Sequence, residues 1–260
     1  MKPKKSLGQN FLNNEKVLNE IIEHGNIKNE DIILEIGPGT GNLTEKIIKK
    51  KPSKLILVEK DKELSDYLKK KFGDNIEIIN NDILEYLNNI KYNKPIKVFG
   101  NLPYNISTKI LISFIKLANL EKFFSKFLFV FQKEVADRIV AEYNTKPYGR
   151  LSILTSWKMV SSKKFDISPK SFYPVPKVWS SLVILKPRIK IENISNAKNL
   201  EHITNIFFNQ RRKMIKKPLR QLFKNYEDIS IELGLDLNLR PQNLPVKKYF
   251  EMCKIYEKLT

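Results

Sequence analysis

Short apolar runs alternate with stretches of helical periodicity over residues 31–185. Runs of this length, bounded by turn residues, predict strands, and the intervening periodicity predicts helices. The predicted strands are Ile32–Ile36, Lys54–Glu59, Asn75–Asn80, Ile96–Gly100, Phe127–Phe131, Leu151–Val160 and Val178–Leu185. The predicted helices are Leu43–Lys51, Asp61–Phe72, Ser107–Ala118 and Lys133–Tyr143. This alternation predicts a three-layer α/β sandwich around a mostly parallel sheet, with the last two strands as an antiparallel pair at the sheet edge.

Beyond Pro187 the pattern becomes helical throughout. The predicted segments are Asn199–Asn209, Arg212–Phe223, Ile229–Leu233 and Val246–Leu259. Pro218 lies inside the second segment and predicts a kink or a split there. We therefore expect two domains, an α/β domain over residues 1–192 and a small all-helical domain over residues 193–260, with the polar stretch 193–199 as the linker.

The composition indicates a folded protein, with 42% hydrophobic and 29% charged residues. No apolar run approaches the length of a membrane span, and the N-terminus lacks the apolar core of a secretory signal. The single cysteine, Cys253, cannot form an internal disulfide. We therefore expect a protein of the reducing cytoplasm, without a membrane partner. We also expect it to be a monomer.

Positive charge is in large excess: 47 Lys and Arg against 28 Asp and Glu give a net charge of +19. Such a field attracts polyanions, although codon bias toward lysine would produce a similar composition. Residues 209–224 carry seven cations and no carboxylate: Arg211, Arg212, Lys213, Lys216, Lys217, Arg220 and Lys224. A solvated helix face is the alternative interpretation, but the absence of compensating carboxylates favours RNA phosphates. Lys2, Lys4 and Lys5 form a smaller basic arm.

A glycine-rich turn follows the first strand in the segment Glu35–Thr44. Gly37, Gly39 and Gly41 allow a sharp turn and a close approach to a ligand at the carboxyl end of the strand. Asn42 stands where a dinucleotide fingerprint requires glycine, which disfavours NAD. Taken alone, the turn could be an ordinary connection between a strand and a helix.

Two carboxylates give the turn its significance. Glu59 ends the second strand, where it can accept both ribose hydroxyls of an adenosine, and Asp82 follows the third strand, where it can accept a bond from an adenine amine. Each acid by itself would more often be a strand end or a helix cap. Their order along the chain predicts a slot for an adenosine-containing cofactor.

The tetrapeptide Asn101-Leu-Pro-Tyr104 follows the fourth strand and resembles the Asn/Asp-Pro-Pro-Tyr/Phe signature of amino methyltransferases. The Asn101 side-chain oxygen and the Leu102 carbonyl can accept hydrogen bonds from an adenine N6 amine, while Tyr104 stacks on the flipped base. Transfer of a methyl group from a sulfonium donor to this amine requires no metal, because the sulfonium is already a good leaving group and positioning and electrostatics can supply most of the acceleration. A proline turn with a helix cap is the alternative interpretation.

A proline-rich loop, residues 168–180, contains three aromatic side chains. We predict that Phe172 forms the second stacking face for the base, and that Tyr173 and Trp179 are packing residues.

These residues together resemble the ribosomal small-subunit RNA adenine dimethyltransferases, the KsgA/RsmA family. The resemblance spans nearly the whole chain and includes the segments Lys5–Leu12, Glu35–Thr44, Asn101–Tyr104, Gln132–Arg138, the Phe172 loop and Asn209–Lys213. It implies a Rossmann-like S-adenosylmethionine-dependent methyltransferase domain with a helical C-terminal domain. It also implies that Asn10 and Leu12 join Gly37, Glu59, Asp82 and Asn101 at the cofactor, which is released as S-adenosylhomocysteine.

The implied reaction is N6,N6-dimethylation of two adjacent adenosines near the 3′ end of 16S rRNA, within an immature 30S subunit, as a step of rRNA processing and ribosome biogenesis. Two alternatives stay open. One is a related methyltransferase of 23S rRNA; the other is a non-catalytic RNA- or DNA-binding factor that keeps the fold. The basic segment and the N-terminal Lys5–Leu12 motif favour the 16S rRNA enzyme over the 23S rRNA enzyme. The intact site residues favour an active enzyme over a non-catalytic binding factor.

Overall fold

The computed structural model describes residues 3–73, 76–87, 90 and 94–259. The chain divides into two compact units: Met1–Ala136 with Ser161–Pro187, and Asp137–Val160 with Arg188–Thr260. This division differs from the predicted boundary at residues 192/193. Residues 137–160 group with the C-terminal helices because a helix in this stretch, Arg150–Lys158, packs against two of them, Ala197–Asn209 and Val246–Leu259.

The strands of the first unit confirm the predicted alternation. Within the described residues they are β1 (Phe11–Leu12), β2 (Ile32–Ile36), β3 (Lys54–Glu59), β4 (Glu77–Asn80), β5 (Ile96–Asn101), β6 (Phe124–Gln132), β7 (Met159–Ile167), β8 (Phe172–Tyr173) and β9 (Ser180–Pro187). Seven of them form one sheet in the order β4-β3-β2-β5-β6-β9-β7. Strands β2 to β6 pair in parallel, and β9 runs antiparallel to β6. Asn75, the predicted first residue of β4, lies outside the described residues.

The helices are α1 (Glu15–Gly25), α2 (Asn42–Ile48), α3 (Lys62–Phe72), α4 (Ile83–Tyr86), α5 (Ser107–Lys116), α6 (Leu120–Phe123), α7 (Lys133–Ile139), α8 (Arg150–Lys158), α9 (Ala197–Asn209), α10 (Lys216–Leu222), α11 (Tyr226–Glu232) and α12 (Val246–Leu259).

The sheet is buried on both faces, as expected for a parallel sheet between helical layers. On one face, Ile33 and Phe99 of the strands lie in a cluster with residues of α1 and α2, including Ile21 and Ile47. On the other, the ring of Phe114 from α5 lies against aromatic side chains of β6, with ring centroids 4.9 to 6.0 Å apart. This confirms the three-layer sandwich.

One predicted strand, Leu151–Val160, is wrong: most of this run is helix α8. Its apolar residues lie almost entirely in the interior, with Ile153, Leu154 and Trp157 all buried. A short helix that is buried on most sides shows little amphipathic periodicity, so its apolar residues resemble those of a buried strand in sequence. Strand β7 follows directly and occupies the sheet edge instead.

The second unit contains the helices α8 to α12, of which α9 packs against α8, α10 and α12. Its interior includes Phe207 and two buried tyrosines, Tyr148 and Tyr249, whose hydroxyls donate to the main-chain carbonyls of Leu244 and Pro241. The prediction of a kink or split at Pro218 assumed one helix over Arg212–Phe223, but only Lys216–Leu222 of this segment is helical. The helix begins only at Lys216, so Pro218 lies in its first turn, where a main-chain N–H has no intrahelical partner in any case.

Candidate active site

A cavity lies where β2, β3 and β5 end, within the first unit. Its lining comes from the N-terminal segment and the residues that follow each of these strands and β4. Nine predicted site residues line it: Asn10, Leu12, Gly37, Gly39, Glu59, Asp82, Asn101, Leu102 and Tyr104. They meet because the carboxyl ends of neighbouring parallel strands lie at one edge of a sheet.

The glycine turn contributes to the cavity unequally. Gly37 has φ +62°, and among the described residues no heavy atom lies within 4 Å of the position a Cβ would occupy. The backbone there borders open space that a ligand can enter. Gly41 does not line the cavity: a Cβ on it would lie 2.8 Å from the Phe72 ring. Its φ of +81° starts helix α2 in close contact with α3, so glycine is required there for packing, and the predicted contact of Gly41 with cofactor stays a prediction.

Glu59 is buried at the end of β3. One carboxylate oxygen accepts the Gly39 N–H (3.2 Å), and the other accepts the Asp61 N–H (2.9 Å). Burial raises the pKa of Glu59, while these two hydrogen bonds act in the opposite direction. Each oxygen retains a lone pair, so the group can accept two hydroxyl protons from a ribose.

Asp82 lines the cavity and also caps helix α4. One oxygen accepts the Leu84 N–H (2.9 Å), and the other lies 2.9 Å from the Lys60 ammonium. Burial opposes ionisation, but the hydrogen bond and charge of Lys60 outweigh it and hold the pKa of Asp82 below its ordinary value. The carboxylate is therefore ionised and oriented for a further donor such as an adenine amine.

Glu35 also lines this cavity, and the sequence analysis gave it no role. The Thr44 hydroxyl donates to its carboxyl group at 2.7 Å. Burial raises the pKa of Glu35 from 4.5 to about 8, against the hydrogen bond from Thr44, and the negative charge of Glu59 adds to the rise. A glutamate at the end of a buried strand, two residues before a glycine turn, is the sequence signal for this group.

The reacting loop is joined to the N-terminal segment. The Asn101 side-chain NH2 donates to the Asn10 main-chain carbonyl at 2.6 Å, which leaves the amide oxygen available as an acceptor. The Tyr104 hydroxyl and the Ser180 hydroxyl lie 2.5 Å apart. This hydrogen bond holds the Tyr104 ring at the cavity wall. Burial raises the pKa of Tyr104, so the phenol stays neutral.

Phe172 does not line the cavity, in contrast to the prediction of a stacking face. Strand β8 pairs with β1, with Phe172 opposite Leu12, and this turns the Phe172 ring into the core, where it is 2% exposed. Alternation along the strand turns the next side chain outward. The prediction that Tyr173 and Trp179 are packing residues is wrong, since they are 58% and 51% exposed.

Further residues of the site were missed by the sequence analysis. Phe11 lines the cavity, and its ring occupies the space beside Gly39. Asp61 caps α3 and receives hydrogen bonds from the Lys4 ammonium (2.8 Å) and the Gln9 amide (3.0 Å). These contacts fasten the N-terminal segment next to Glu59. An Asp two residues beyond a strand-end Glu indicates a helix cap, but its partners lie more than 50 residues away in sequence.

The basic segment lies in the second unit. Arg211 donates to the Gln242 side chain (3.2 Å) and to the Lys146 carbonyl (2.5 Å), so it helps hold the fold. Of the other predicted cations, all but Lys224 border a second, open cavity, together with three further residues, Met214, Asn238 and Arg240. Its lining is Arg212, Lys213, Met214, Lys216, Lys217, Arg220, Asn238 and Arg240. Lys2, of the basic arm, lies outside the described residues.

The chain matches the family described as ribosomal RNA adenine dimethylase over residues 1–258. It belongs to this family. It is 51% identical over 259 residues to Ribosomal RNA small subunit methyltransferase A of Pelagibacter ubique (strain HTCC1062), covering 100% of this chain and 98% of that protein.

Two solved structures resemble this member of the dimethylase family. A dimethyladenosine transferase from Plasmodium falciparum has a TM-score of 0.77 and 26% identity, over 95% of this chain and 98% of that one. The 23S rRNA methyltransferase ErmE has a TM-score of 0.69 and 22% identity, over 94% and 99%. The fold is thus the Rossmann-like fold of S-adenosylmethionine-dependent methyltransferases with a helical C-terminal part, and the cofactor of the dimethylase is S-adenosylmethionine. Among the described residues, no helix is long and apolar enough to cross a membrane.

The cavity suits this cofactor on the evidence of its own residues. The open space at Gly37 admits a ligand against the backbone, as a cofactor bound across a glycine turn requires. Glu59 and Asp82 offer acceptors for ribose hydroxyls and an adenine amine, and apolar side chains such as Leu12 and Ile83 complete the wall.

Proposed function

We propose that this protein dimethylates the N6 amines of two adjacent adenosines near the 3′ end of 16S rRNA, acting as a monomer on an immature 30S subunit in the cytoplasm. One observation carries the proposal: Asn101, Leu102 and Tyr104 share one cavity with Glu59 and the glycine turn. An acceptor pair for an amine thus lies beside a cradle for an adenosine-containing cofactor. The similarity to a small-subunit methyltransferase supports the choice of 16S rRNA.

Cofactor binding is assigned to the cavity wall. Glu59 accepts the two ribose hydroxyls with the lone pairs left free by Gly39 and Asp61, and Asp82 accepts the adenine amine. The backbone at Gly37 and Gly39 and the segment Asn10–Leu12 would contact the rest of the cofactor. When bound, S-adenosylmethionine supplies an electrophilic methyl group and becomes S-adenosylhomocysteine.

The target adenine is held by the reacting loop. Because the Asn101 NH2 is occupied by Asn10, its oxygen is free to accept a hydrogen bond from one N–H of the unmethylated amine, and the Leu102 carbonyl accepts the other. Each transfer replaces one N–H with N–CH3 and releases that proton to solvent, so one N–H is left to bond one of these oxygens in the second transfer. Two acceptors orient the nitrogen lone pair toward the methyl donor, which offsets its delocalisation into the ring. Tyr104, fixed by Ser180, stacks on the flipped base.

RNA contacts outside the cavity are assigned to the second unit. The side chains of Arg212, Lys213, Lys216, Lys217, Arg220 and Arg240 surround an open cavity without a carboxylate in its lining. Such a surface suits phosphate groups. Arg211 supports it through its bonds to Gln242 and Lys146 and contributes charge as a secondary role.

The test uses radiolabelled S-adenosylmethionine with 30S particles that lack the adenine methylations, and in parallel with 23S rRNA. We expect label in two adjacent N6,N6-dimethyladenosines near the 3′ end of 16S rRNA, and none with Glu59→Ala. Labelling of 23S rRNA alone would show a large-subunit enzyme. No labelling of either RNA would indicate a binding protein without this activity.

A further inference from the structure

An exposed apolar surface lies on the loop of residues 173–179, called here the aromatic loop. Four of its side chains are largely open to solvent: Tyr173 (58%), Val175 (62%), Val178 (43%) and Trp179 (51%). Several large apolar side chains exposed on one loop are typical of a binding surface, whereas single exposed apolar side chains are common on any protein.

Both ends of the aromatic loop are attached to the active-site cavity. At its start, Tyr173 pairs with Phe11, a residue of the cavity lining. At its end, Ser180 directly follows Trp179 and its hydroxyl lies 2.5 Å from the Tyr104 hydroxyl. The Trp179 carbonyl also accepts the Lys133 N–H (2.8 Å). The aromatic loop therefore spans the region beside the stacking residue Tyr104.

The composition of this loop favours a polyanion with flat apolar faces. Residues 168–180 contain no carboxylate, and Lys170 and Lys177 are exposed. Pro174 and Pro176 restrict the backbone, so that the aromatic side chains lose little entropy on binding. Sequence-tolerant binding of unpaired nucleic acid combines aromatic stacking with nearby cations in this manner. A second copy of a chain with a charge of +19 would be repelled, which argues against self-association as the occupant.

We propose that Tyr173 and Trp179 stack on unpaired RNA bases immediately beside the target adenosine. This inference rests on the proposed function and adds a contact that orients the strand as the target base enters the cavity. The two side chains are positioning residues: they determine how well RNA is held and leave the chemical step and the cofactor unchanged.

Kinetics provide the first test. We expect Tyr173→Ala and Trp179→Ala each to raise KM for undermethylated 30S particles about 5- to 10-fold, the low end of stacking effects, with kcat and the Kd of S-adenosylmethionine unchanged. Trp179→Phe keeps an aromatic face and should stay close to the wild-type KM. Ile231→Ala, which truncates another exposed apolar side chain in α11, is the matched control and should have no effect.

Fluorescence provides a test that needs no turnover. The chain has two tryptophans, and Trp157 is buried, so the difference between wild-type and Trp179→Phe emission reports Trp179. We expect an RNA hairpin with two unpaired adenosines in its loop to quench this emission, and a blunt duplex of equal length to quench it far less. Equal quenching by both RNAs, or none, would overturn the stacking assignment.

The outcomes separate this inference from the proposed function. If the wild-type protein methylates neither rRNA, the proposed function fails, and hairpin quenching still decides whether the aromatic loop stacks on bases. If methylation proceeds and neither alanine variant changes KM, the inference alone fails. A shift from dimer to monomer in sedimentation of Trp179→Ala, with KM unchanged, would identify a second copy as the occupant and overturn the proposal.

Discussion

The side-chain NH2 of Asn101 donates a hydrogen bond to the main-chain carbonyl of Asn10, with the two atoms 2.6 Å apart. This bond fixes which end of the amide is free, because the NH2 is used and the oxygen is left as an acceptor. It also joins the reacting loop to the N-terminal segment that lines the cofactor side of the cavity. Orientation of the target amine and the position of the N-terminal segment are thus coupled through one side chain.

Replacing Asn101 should therefore affect turnover more than cofactor affinity. We expect Asn101→Ala to lower kcat by about 100-fold or more, the usual cost of losing a positioned polar group at a reacting centre. The Kd of S-adenosylmethionine should rise by less than about 10-fold, because a single hydrogen bond to Asn10 is lost. Single-turnover rates and calorimetric titration measure the two quantities.

The control for this variant is Thr108→Ala, exposed in the first turn of α5, which should leave both quantities unchanged. Loss of cofactor binding in Asn101→Ala with normal turnover at saturation would assign Asn101 to the cofactor and contradict its role toward the amine.

Much of the site followed from the sequence because parallel topology restricts where strand ends lie. Once β2 and β3 were located, Gly37 and Glu59 had to meet at one sheet edge, and their strands have the predicted bounds. The reacting tetrapeptide met them for the same reason, at the end of β5. Asn10 and Leu12 came from the family resemblance alone, since nothing in local periodicity brings a chain terminus to this edge.

The misassigned residues depend on contacts that a linear pattern does not contain. Which of Phe172 and Tyr173 is buried depends on the pairing of β8 with β1, two elements 160 residues apart. The need for glycine at position 41 includes the Phe72 ring that packs against it from α3, a contact that the linear pattern does not contain. The pattern of helix α8 resembles that of a strand because its apolar residues are buried in a second unit, and the boundary of this unit does not show in the sequence.

The ion pair that holds the N-terminal segment beside Glu59 should slow the dissociation of the cofactor. Burial opposes ionisation of Asp61, but hydrogen bonds from Lys4 and Gln9 outweigh it, so its pKa lies below the ordinary value and the ion pair with Lys4 persists at neutral pH. We expect Lys4→Gln to speed dissociation of S-adenosylmethionine about 2- to 5-fold at low salt, with a smaller effect at high salt, as for other partly exposed ion pairs.

Stopped-flow displacement of the bound cofactor measures this rate. Lys5→Gln changes the neighbouring exposed lysine, which forms no ion pair with a carboxylate of the described residues, and should not alter dissociation. Equally faster cofactor dissociation in both variants would show a general charge effect and would contradict a specific role of the Lys4–Asp61 ion pair.

Stability should fall with pH because of Glu35. An unfolded glutamate ionises near pH 4.5, whereas folded Glu35 keeps its proton until about pH 8. Between these values the folded state binds more protons, so the free energy of unfolding decreases as pH rises, by at most about 1.4 kcal/mol per pH unit. Glu35→Gln keeps an acceptor for Thr44 and removes the titration. From pH 6 to pH 8, the wild-type protein should lose about 2 kcal/mol relative to Glu35→Gln.

Urea unfolding of the cofactor-free protein at pH 6, 7 and 8 provides the comparison. Glu30→Gln, a neutralised surface carboxylate, should keep the wild-type pH dependence. Parallel curves for the wild type and Glu35→Gln would show that Glu35 is ionised throughout this range.

RNA affinity should depend on the exposed cations of the second unit and much less on their structural neighbour. Arg212 and Lys213 are exposed, whereas Arg211 is hydrogen-bonded to Gln242 and Lys146. Replacing Arg212 and Lys213 with glutamine should weaken binding to 30S particles and reduce the slope of log K against log salt by about 1 to 2, since each phosphate contact contributes nearly one counterion. Cofactor affinity should not change, because Arg212 and Lys213 do not line the active-site cavity.

The matched control replaces two exposed lysines of the same unit, Lys190 and Lys198, and should leave the slope close to the wild-type value. Equal slopes for the Arg212/Lys213 variant and the wild type would exclude phosphate contacts by these two side chains. A lowered unfolding temperature in Arg211→Gln alone would confirm the structural role of that arginine.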